Sequence, residues 1–166
     1  GSRKDGDHSA MLSYLADEIP KCSGNIGVVF SSKAVLRRYF FDLIAVLPEH
    51  ILALGEDLSG GMGKFRDRYV SSEAKTKVLF LTYRNLALFP PELLSFSTIF
   101  LQSLPFDPPG LPIHQARQME VQNSFMDYAL PRAKENFMLI LTTLSRHSPE
   151  KRLVILDRRV QEQHYG

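Results

Sequence analysis

The sequence predicts an α/β domain built on a central, mainly parallel sheet of at least five strands. Short runs of β-branched and aromatic residues alternate with longer segments in which apolar residues recur at helical spacing. The short runs are apolar at nearly every position, which is typical of parallel strands that helices bury on both faces. With 166 residues and 20 Lys and Arg against 18 Asp and Glu, the chain suits one globular domain.

The first half of the chain supplies three predicted helices and three predicted strands. Pro20 and Pro48 end the first two helices, and the pair Ser31-Ser32 provides an N-cap for the second. A polar, glycine-rich segment at residues 56–63 is predicted to be a loop. The helices are predicted at residues 10–19, 33–47 and 64–70, and the strands at residues 26–30, 51–54 and 77–81.

The second half supplies two more strands and two more helices. Residues 104–112 hold four of the chain's 10 prolines, which predicts an ordered loop without helix. Residues 82–95, with Pro90-Pro91 near the middle, connect two strands and receive no assigned element. The strands are predicted at residues 96–101 and 152–156, and the helices at residues 113–123 and 130–146.

Composition excludes several classes of protein. No apolar run reaches the ~18 residues of a membrane span, and residues 1–10 are too polar for a secretory signal. Cys22 is the only cysteine, which excludes an internal disulfide and indicates a reducing compartment, either cytoplasmic (the bacterial nucleoid) or nuclear. The five histidines are scattered, so we expect no metal site. Gly1-Ser2 is typical of an expression tag, so residues 1–9 are interpreted as a tag or linker and residues 10–166 as the domain.

Two weaker motifs do not indicate an enzyme by themselves. The segment G-G-M-G-K at residues 60–64 lacks the spacing and the hydroxyl of a phosphate-binding P-loop, which favours a flexible connection. No G-x-S-x-G motif occurs, and Cys22 has no histidine near it in sequence. A semi-buried structural thiol is therefore the better interpretation of Cys22 than a nucleophile.

Ligands of parallel α/β sheets bind beyond the carboxyl ends of the strands. Ser31, Ser32, Thr82 and the segment 157–159 follow predicted strands and are the candidate positions. Two hydroxyls that open a helix can hold a phosphate together with the helix amides, or they can simply cap the helix. Both interpretations of Ser31-Ser32 stay open at this level.

Two basic stretches are candidates for contacts with a nucleic-acid backbone. Because Asp67 and Glu73 are interleaved with the first stretch, a solvated helix face explains it equally well. The second stretch lies at the end of a helix, where positive charge also stabilises the helix dipole. The first stretch consists of Lys64, Arg66, Arg68, Lys75 and Lys77, and the second of Arg146, Lys151, Arg152, Arg158 and Arg159.

Four phrases, in order and in spacing, resemble the second motor domain of DinG/XPD-type superfamily 2 DNA helicases. The resemblance covers roughly residues 10–166. The phrases are G-V-V-F-S-S at residues 27–32, L-P-F-D-P-P at 104–109, D-Y-A-L-P-R-A at 127–133 and L-V-I-L-D-R-R-V at 153–160.

The resemblance implies a RecA-like, three-layer α/β domain that closes on ATP and Mg²⁺ together with a first RecA-like domain. Ser31, Ser32 and Thr82 would then face the phosphates of single-stranded DNA, with Arg84, Lys64 and Arg66 nearby. Arg146, on the helix predicted at residues 130–146, would be an arginine finger toward the γ-phosphate of ATP.

The chain departs from the family at its ATP-contact motifs. Aligned to a motif that reads roughly G-T-x-S-F-W-E-G-V-D, it keeps Thr82 but has Ala87 and Pro90 at the acidic positions. Aligned to Q-G-x-G-R-x-x-R, it has Leu139 and Thr143 where Gln and the first Arg are expected, and keeps Arg146. Arginine on developing phosphate charge contributes strongly to the rate of hydrolysis, and threonine carries no charge.

Three functions remain compatible with these residues. The first is the C-terminal motor domain of an ATP-dependent DNA helicase, inactive alone and coupled to a partner ATPase domain. The second is a pseudo-helicase module that binds single-stranded DNA or a protein partner without ATP hydrolysis. The third is a protein-interaction domain that kept only the fold. For the chain alone we expect no cofactor and no membrane partner.

Overall fold

A computed structural model describes residues 2–90, 93, 95–104 and 152–157. The helices predicted at residues 113–123 and 130–146, nearly all of the predicted 104–112 loop, and Arg146, Arg158 and Arg159 lie outside these described residues. The five predicted strands all lie within them.

The described sheet has five strands, all parallel, in the spatial order β2-β3-β1-β4-β5. This confirms the predicted parallel α/β sheet. In register, Val28 of the central strand lies between Phe80 of β3 and Phe100 of β4. The strands are β1 (Gly24–Phe30), β2 (Ile51–Gly55), β3 (Thr76–Thr82), β4 (Thr98–Leu101) and β5 (Arg152–Ile155).

The helices agree with the predictions in position and differ at their ends. The described helices are α1 (Ser2–Glu18), a 3₁₀ turn (Ile19–Lys21), α2 (Lys33–Ile44), α3 (Met62–Ser71) and α4 (Tyr83–Leu88). Helix α2 ends three residues before the predicted position because the amides of Val46 and Leu47 both donate to the carbonyl of Leu43, at 3.0 and 2.9 Å. Helix α4 lies in the segment that received no assignment.

Helix α1 begins eight residues before its predicted start. The prediction relied on apolar spacing, which begins only near Met11, whereas the preceding residues are polar. His8 is buried against α2 all the same, with its Nε2 2.9 Å from Asp42 Oδ2 and its ring edge-on to Tyr39 at 4.4 Å. Because the partners of His8 lie on another helix, the spacing of apolar residues within α1 does not predict this contact.

Two hydrophobic clusters, one on each face of the sheet, make the architecture three-layered. Strand residues alternate between them, so Val28 and Phe30 face one cluster while Val29 faces the other. Helices α1 and α2 cover the first face, and α3 and α4 cover the second. The arrangement is consistent with a RecA-like α/β fold.

Aromatic packing fixes α2 on the sheet. The ring of Phe40 meets Phe80 edge-on at 5.3 Å, and Phe30 stacks beside Phe80 at 6.2 Å. Such aromatic pairs contribute roughly 0.5–1.5 kcal/mol beyond their buried area. Gly55 ends β2 beneath the same ring, where a Cβ atom would lie 2.9 Å from Phe40. A glycine is therefore required at the end of β2.

The connections open a crevice at the carboxyl ends of the strands. Strand β1 continues into α2 on one face, whereas β2 and β3 continue into α3 and α4 on the other face. Neighbouring strands whose connections leave toward opposite faces, here β1 and β3, create the usual ligand crevice of open parallel sheets. Of the predicted candidate positions, Ser31, Ser32 and Thr82 lie at the carboxyl ends of these two strands.

Candidate functional site

The carboxyl ends of β1, β3 and β4 converge through three side chains. The hydroxyls of Ser31, after β1, and Ser103, after β4, lie 2.7 Å apart. The Tyr83 hydroxyl, at the end of β3, donates to the Ser103 carbonyl at 2.7 Å. Ser31 is exposed and Ser103 is half-buried, so this polar group opens on the surface.

Ser32 caps α2, as the sequence predicts. Its hydroxyl accepts a hydrogen bond from the Val35 amide at 3.4 Å, and its carbonyl accepts one from the Leu36 amide at 3.0 Å. The amides of Lys33 and Ala34 belong to the first turn and have no intrahelical acceptor. Because Ser31, Ser32, Lys33 and Ala34 are all exposed, these donors face solvent beside the Ser31 hydroxyl.

Thr82 lies at the expected place but is buried, with 5% of its surface exposed. It caps α4, since its hydroxyl accepts a hydrogen bond from the Asn85 amide at 3.3 Å. Its own amide donates to Oε1 of Glu56. The amide and the hydroxyl of Thr82, which was predicted to face a DNA phosphate, thus both form hydrogen bonds within the domain.

Glu56 is a strand-end residue that the sequence analysis did not select. Its side chain is 2% exposed and accepts hydrogen bonds from the Thr82 amide and the Asn85 side-chain amide. Its backbone amide donates to the Phe80 carbonyl at 3.1 Å, which continues the pairing of β2 with β3 by one more hydrogen bond. Glu56 follows β2 directly, so the rule that selected Ser31 and Thr82 also applies to it. The prediction of a loop at residues 56–63 hid this position.

Asp157 lies after β5 and is also buried, at 5% exposure. Its Oδ2 accepts a hydrogen bond from the Leu104 amide at 2.8 Å. It therefore joins the exit of β4 to the exit of β5. Asp157 is the described part of the predicted segment 157–159, and its hydrogen bond to Leu104 is a contact within the fold.

Exposed charges surround the crevice. Lys33 Nζ lies 2.6 Å from Asp57 Oδ2, and this hydrogen bond and charge raise the pKa of Lys33 above its ordinary value, although the charge of Arg84 opposes the shift. Arg84 is exposed in the first turn of α4. The structure thus brings Arg84 close enough to Lys33 to act on it electrostatically.

Lys64 and Arg66 are both exposed on α3. The Lys64 side chain lies over Gly60, in the loop that follows β2, where a Cβ atom on Gly60 would come within 3.0 Å of it. In the part of the chain that the structure describes, no hydrogen bond or ion pair joins Lys64 or Arg66 to Ser31, Ser32, Thr82 or Arg84.

The described residues contain no cluster of three His, Cys, Asp or Glu side chains arranged to hold a metal ion. None of the described helices combines the length and apolar character needed to cross a membrane. Cys22 is a half-buried free thiol, and its Sγ donates to the Glu18 carbonyl at 3.4 Å. This contact agrees with the structural interpretation of Cys22.

No protein-family model matches this chain, and no curated protein sequence matches it.

Proposed function

We propose that the chain is a nucleic-acid-binding RecA-like domain, the second motor domain of a DinG/XPD-like helicase, which binds single-stranded DNA and couples to a partner ATPase domain. The observation that carries the proposal is a set of groups on consecutive exposed residues after β1, each able to bind a phosphate. These are the hydroxyls of Ser31 and Ser32, the first-turn amides of α2 and the ammonium of Lys33.

The chemistry of these groups suits a phosphate rather than a base. Hydroxyls, helix N-terminal amides and cations supply most contacts to the nucleic-acid backbone, and these contacts carry no sequence information. Arg84 adds a cation on the β3 side of the crevice. We therefore expect binding without sequence preference, in which a strand crosses the carboxyl ends of β3, β1 and β4.

Ser31, Ser32 and Arg84 supply the strongest contacts in this proposal, and Thr82 acts indirectly. Because Glu56 binds the Thr82 amide, Thr82 keeps α4 in place and thereby positions Arg84. Lys64 and Arg66 would extend the path only for a longer strand.

ATP and Mg²⁺ belong to the proposed parent protein, whose first domain would supply the P-loop. Among the described residues, Ala87 and Pro90 take the acidic positions of the family's ATP-contact motif and carry no charge. We therefore assign no step of ATP hydrolysis to them, and expect no ATPase activity from the chain alone.

The proposal is tested by fluorescence anisotropy with a labelled single-stranded oligonucleotide at low salt. We expect a dissociation constant of about 10–100 μM, within the range of non-specific binders, and a steep loss of affinity with added salt. Arg84→Ala should weaken binding several-fold. Lys21→Ala is the control, because Lys21 is an exposed cation that pairs with Asp17 at 3.0 Å and precedes β1, at the other end of the sheet.

Absence of binding at about 100 μM protein, or equal losses in Arg84→Ala and Lys21→Ala, would contradict the proposal. The second candidate function, a protein-interaction module, would then be favoured. A groove of about 660 Å³ beside edge strand β2 supports that alternative, and Phe41 and Ile44 line it at 46% and 43% exposure.

A further inference from the structure

Asp57 lies at the exit of β2, and its carboxylate points at the first residue of α2. Asp57 Oδ2 and Lys33 Nζ are 2.6 Å apart, and both side chains are more than half exposed. Lys33 directly follows Ser31 and Ser32. The carboxylate thus binds the ammonium closest in sequence to the proposed phosphate-binding groups.

The turn that carries Asp57 is closed by its own hydrogen bonds. The Leu58 amide donates to the Gly55 carbonyl at 3.0 Å, and the Gly55 amide donates to the Ser59 hydroxyl at 3.1 Å. On the other side, the preceding Glu56 is anchored to Thr82 and Asn85. Hydrogen bonds therefore hold the chain on both sides of Asp57.

The backbone of Asp57 is in the left-handed region, with φ of 59°, the only positive φ among the described non-glycine residues. This conformation is disfavoured for most L-residues, although Asp and Asn tolerate it. Because the closed turn imposes this conformation, the backbone of Asp57 is held in place beside Lys33. Most exposed ion pairs lack such a fixed partner and contribute little.

A carboxylate oxygen and a phosphate oxygen are alternative acceptors for the same ammonium. The other charged groups that act on Lys33 are Glu56, which favours the ammonium, and Arg84, which opposes it. Glu56 is committed to Thr82 and Asn85, so Asp57 is the acidic partner that a phosphate would have to displace.

We propose that Asp57 is an internal competitor of the nucleic-acid backbone: it holds Lys33, and binding requires the ammonium to move from the Asp57 carboxylate to a phosphate. This inference rests on the proposed nucleic-acid function. The exchange breaks one ion pair and forms another, so Asp57 keeps the affinity of the site low.

The test compares Asp57→Asn, Lys33→Ala and the double variant in the anisotropy assay. Asn tolerates a positive φ, so Asp57→Asn keeps the turn. It should tighten binding about three- to five-fold and make the salt dependence steeper by up to about 0.7 in log–log slope. In the Lys33→Ala background the same substitution should produce no gain, because the competitor then has no ammonium to hold.

Asp17→Asn is the matched control. Asp17 lies on α1 and forms an exposed ion pair with Lys21 at 3.0 Å, so the substitution removes one negative charge, as Asp57→Asn does. It should change affinity by less than about 1.5-fold, as expected for a screened, distant charge.

Three results would overturn the inference while leaving the proposed function intact: wild type binds but Asp57→Asn binds equally, the gain persists without Lys33, or Asp17→Asn produces the same gain. If neither the wild type nor Asp57→Asn binds, the proposed function and this inference fail together. Thermal unfolding of each variant, followed by circular dichroism, confirms that all of them are folded.

Discussion

The two ends of the sheet use similar polar residues for different purposes. At the amino end, polar side chains join neighbouring segments: the Ser97 hydroxyl, before β4, donates to the Ser23 carbonyl, before β1, at 2.7 Å, and Lys77 Nζ of β3 donates to the Tyr69 carbonyl of α3 at 2.7 Å. At the carboxyl end, Glu56 and Asp157 have such structural contacts, but Ser31 and Ser32 lie on the open surface. The difference teaches that exposure and convergence, rather than residue type, mark the candidate site.

The largest expected effect is on stability, and it tests whether a buried polar residue at the carboxyl end of the sheet is a structural anchor. Glu56→Ala leaves the buried Thr82 amide and the Asn85 side chain without their acceptor. Since hydrogen bonds to a charged group are strong and unsatisfied buried donors are costly, we expect the free energy of unfolding to fall by about 3 kcal/mol. Urea denaturation measures the change.

Glu73→Ala is the control for this variant, because Glu73 is exposed. Its effect should stay within about 0.5 kcal/mol. Equal midpoints for the two variants would mean that Glu56 is not a structural anchor.

A smaller effect concerns alkaline pH and two tyrosines. Burial raises the pKa of Tyr69 to about 12, and among the described residues its hydroxyl has no hydrogen-bond partner. In the unfolded chain the phenol ionises near about pH 10. Below about pH 10 the phenol is neutral in both the folded and the unfolded chain, so Tyr69 adds no pH dependence to stability there. As the pH rises from about 10 toward 12, the phenol ionises in the unfolded chain but stays neutral in the folded one, so the free energy of unfolding falls by about 2 kcal/mol at most.

Tyr69→Phe should remove this alkaline loss and leave stability at pH 7 unchanged or slightly higher. Tyr83→Phe, at the carboxyl end, should instead cost about 1 kcal/mol at pH 7, because it loses the hydrogen bond to the Ser103 carbonyl. Denaturation of both variants at pH 7 and pH 11 measures these effects. An unchanged alkaline loss in Tyr69→Phe would contradict the assignment.

The smallest effect is the most direct test of the comparison between the two ends. Ser97→Ala should lower stability by about 1 kcal/mol, since the hydroxyl donates to the Ser23 carbonyl, and should leave DNA affinity unchanged. Ser31→Ala should do the reverse and weaken binding about two- to three-fold with little effect on stability. Denaturation and anisotropy are measured on both variants, and a reversed pattern would break the comparison.

The strands were predictable because each is buried on both faces and reads as a continuous apolar run. All five agree with the structure to within two residues at each end. The N-cap role of Ser32 was predictable for a similar reason, since its contact with the Val35 amide is only three residues away. Helix α1 was only partly predicted, because the contact that buries His8 is with Asp42 and Tyr39 on another helix.

The contacts of the candidate site were not predictable in the same way. Ser31 meets Ser103 across 72 residues, and Glu56 meets Thr82 across 26. No local pattern of apolar and polar residues specifies such pairs. Ser31, Thr82 and Arg84 could therefore be named as candidates from the sequence, whereas the contacts of Ser103 and Glu56 could not.

The sequence by itself determined where the chain forms its described strands and the helices α2 and α3, because apolar periodicity and caps act over a few residues. The tertiary structure decided which strand ends meet, because the order β2-β3-β1-β4-β5 depends on long-range packing of both faces. That order brings Asp57 to Lys33 and Glu56 to Thr82. Whether a polar residue is an exposed ligand group or a buried anchor thus follows from its neighbours across the sheet, which lie far away along the chain.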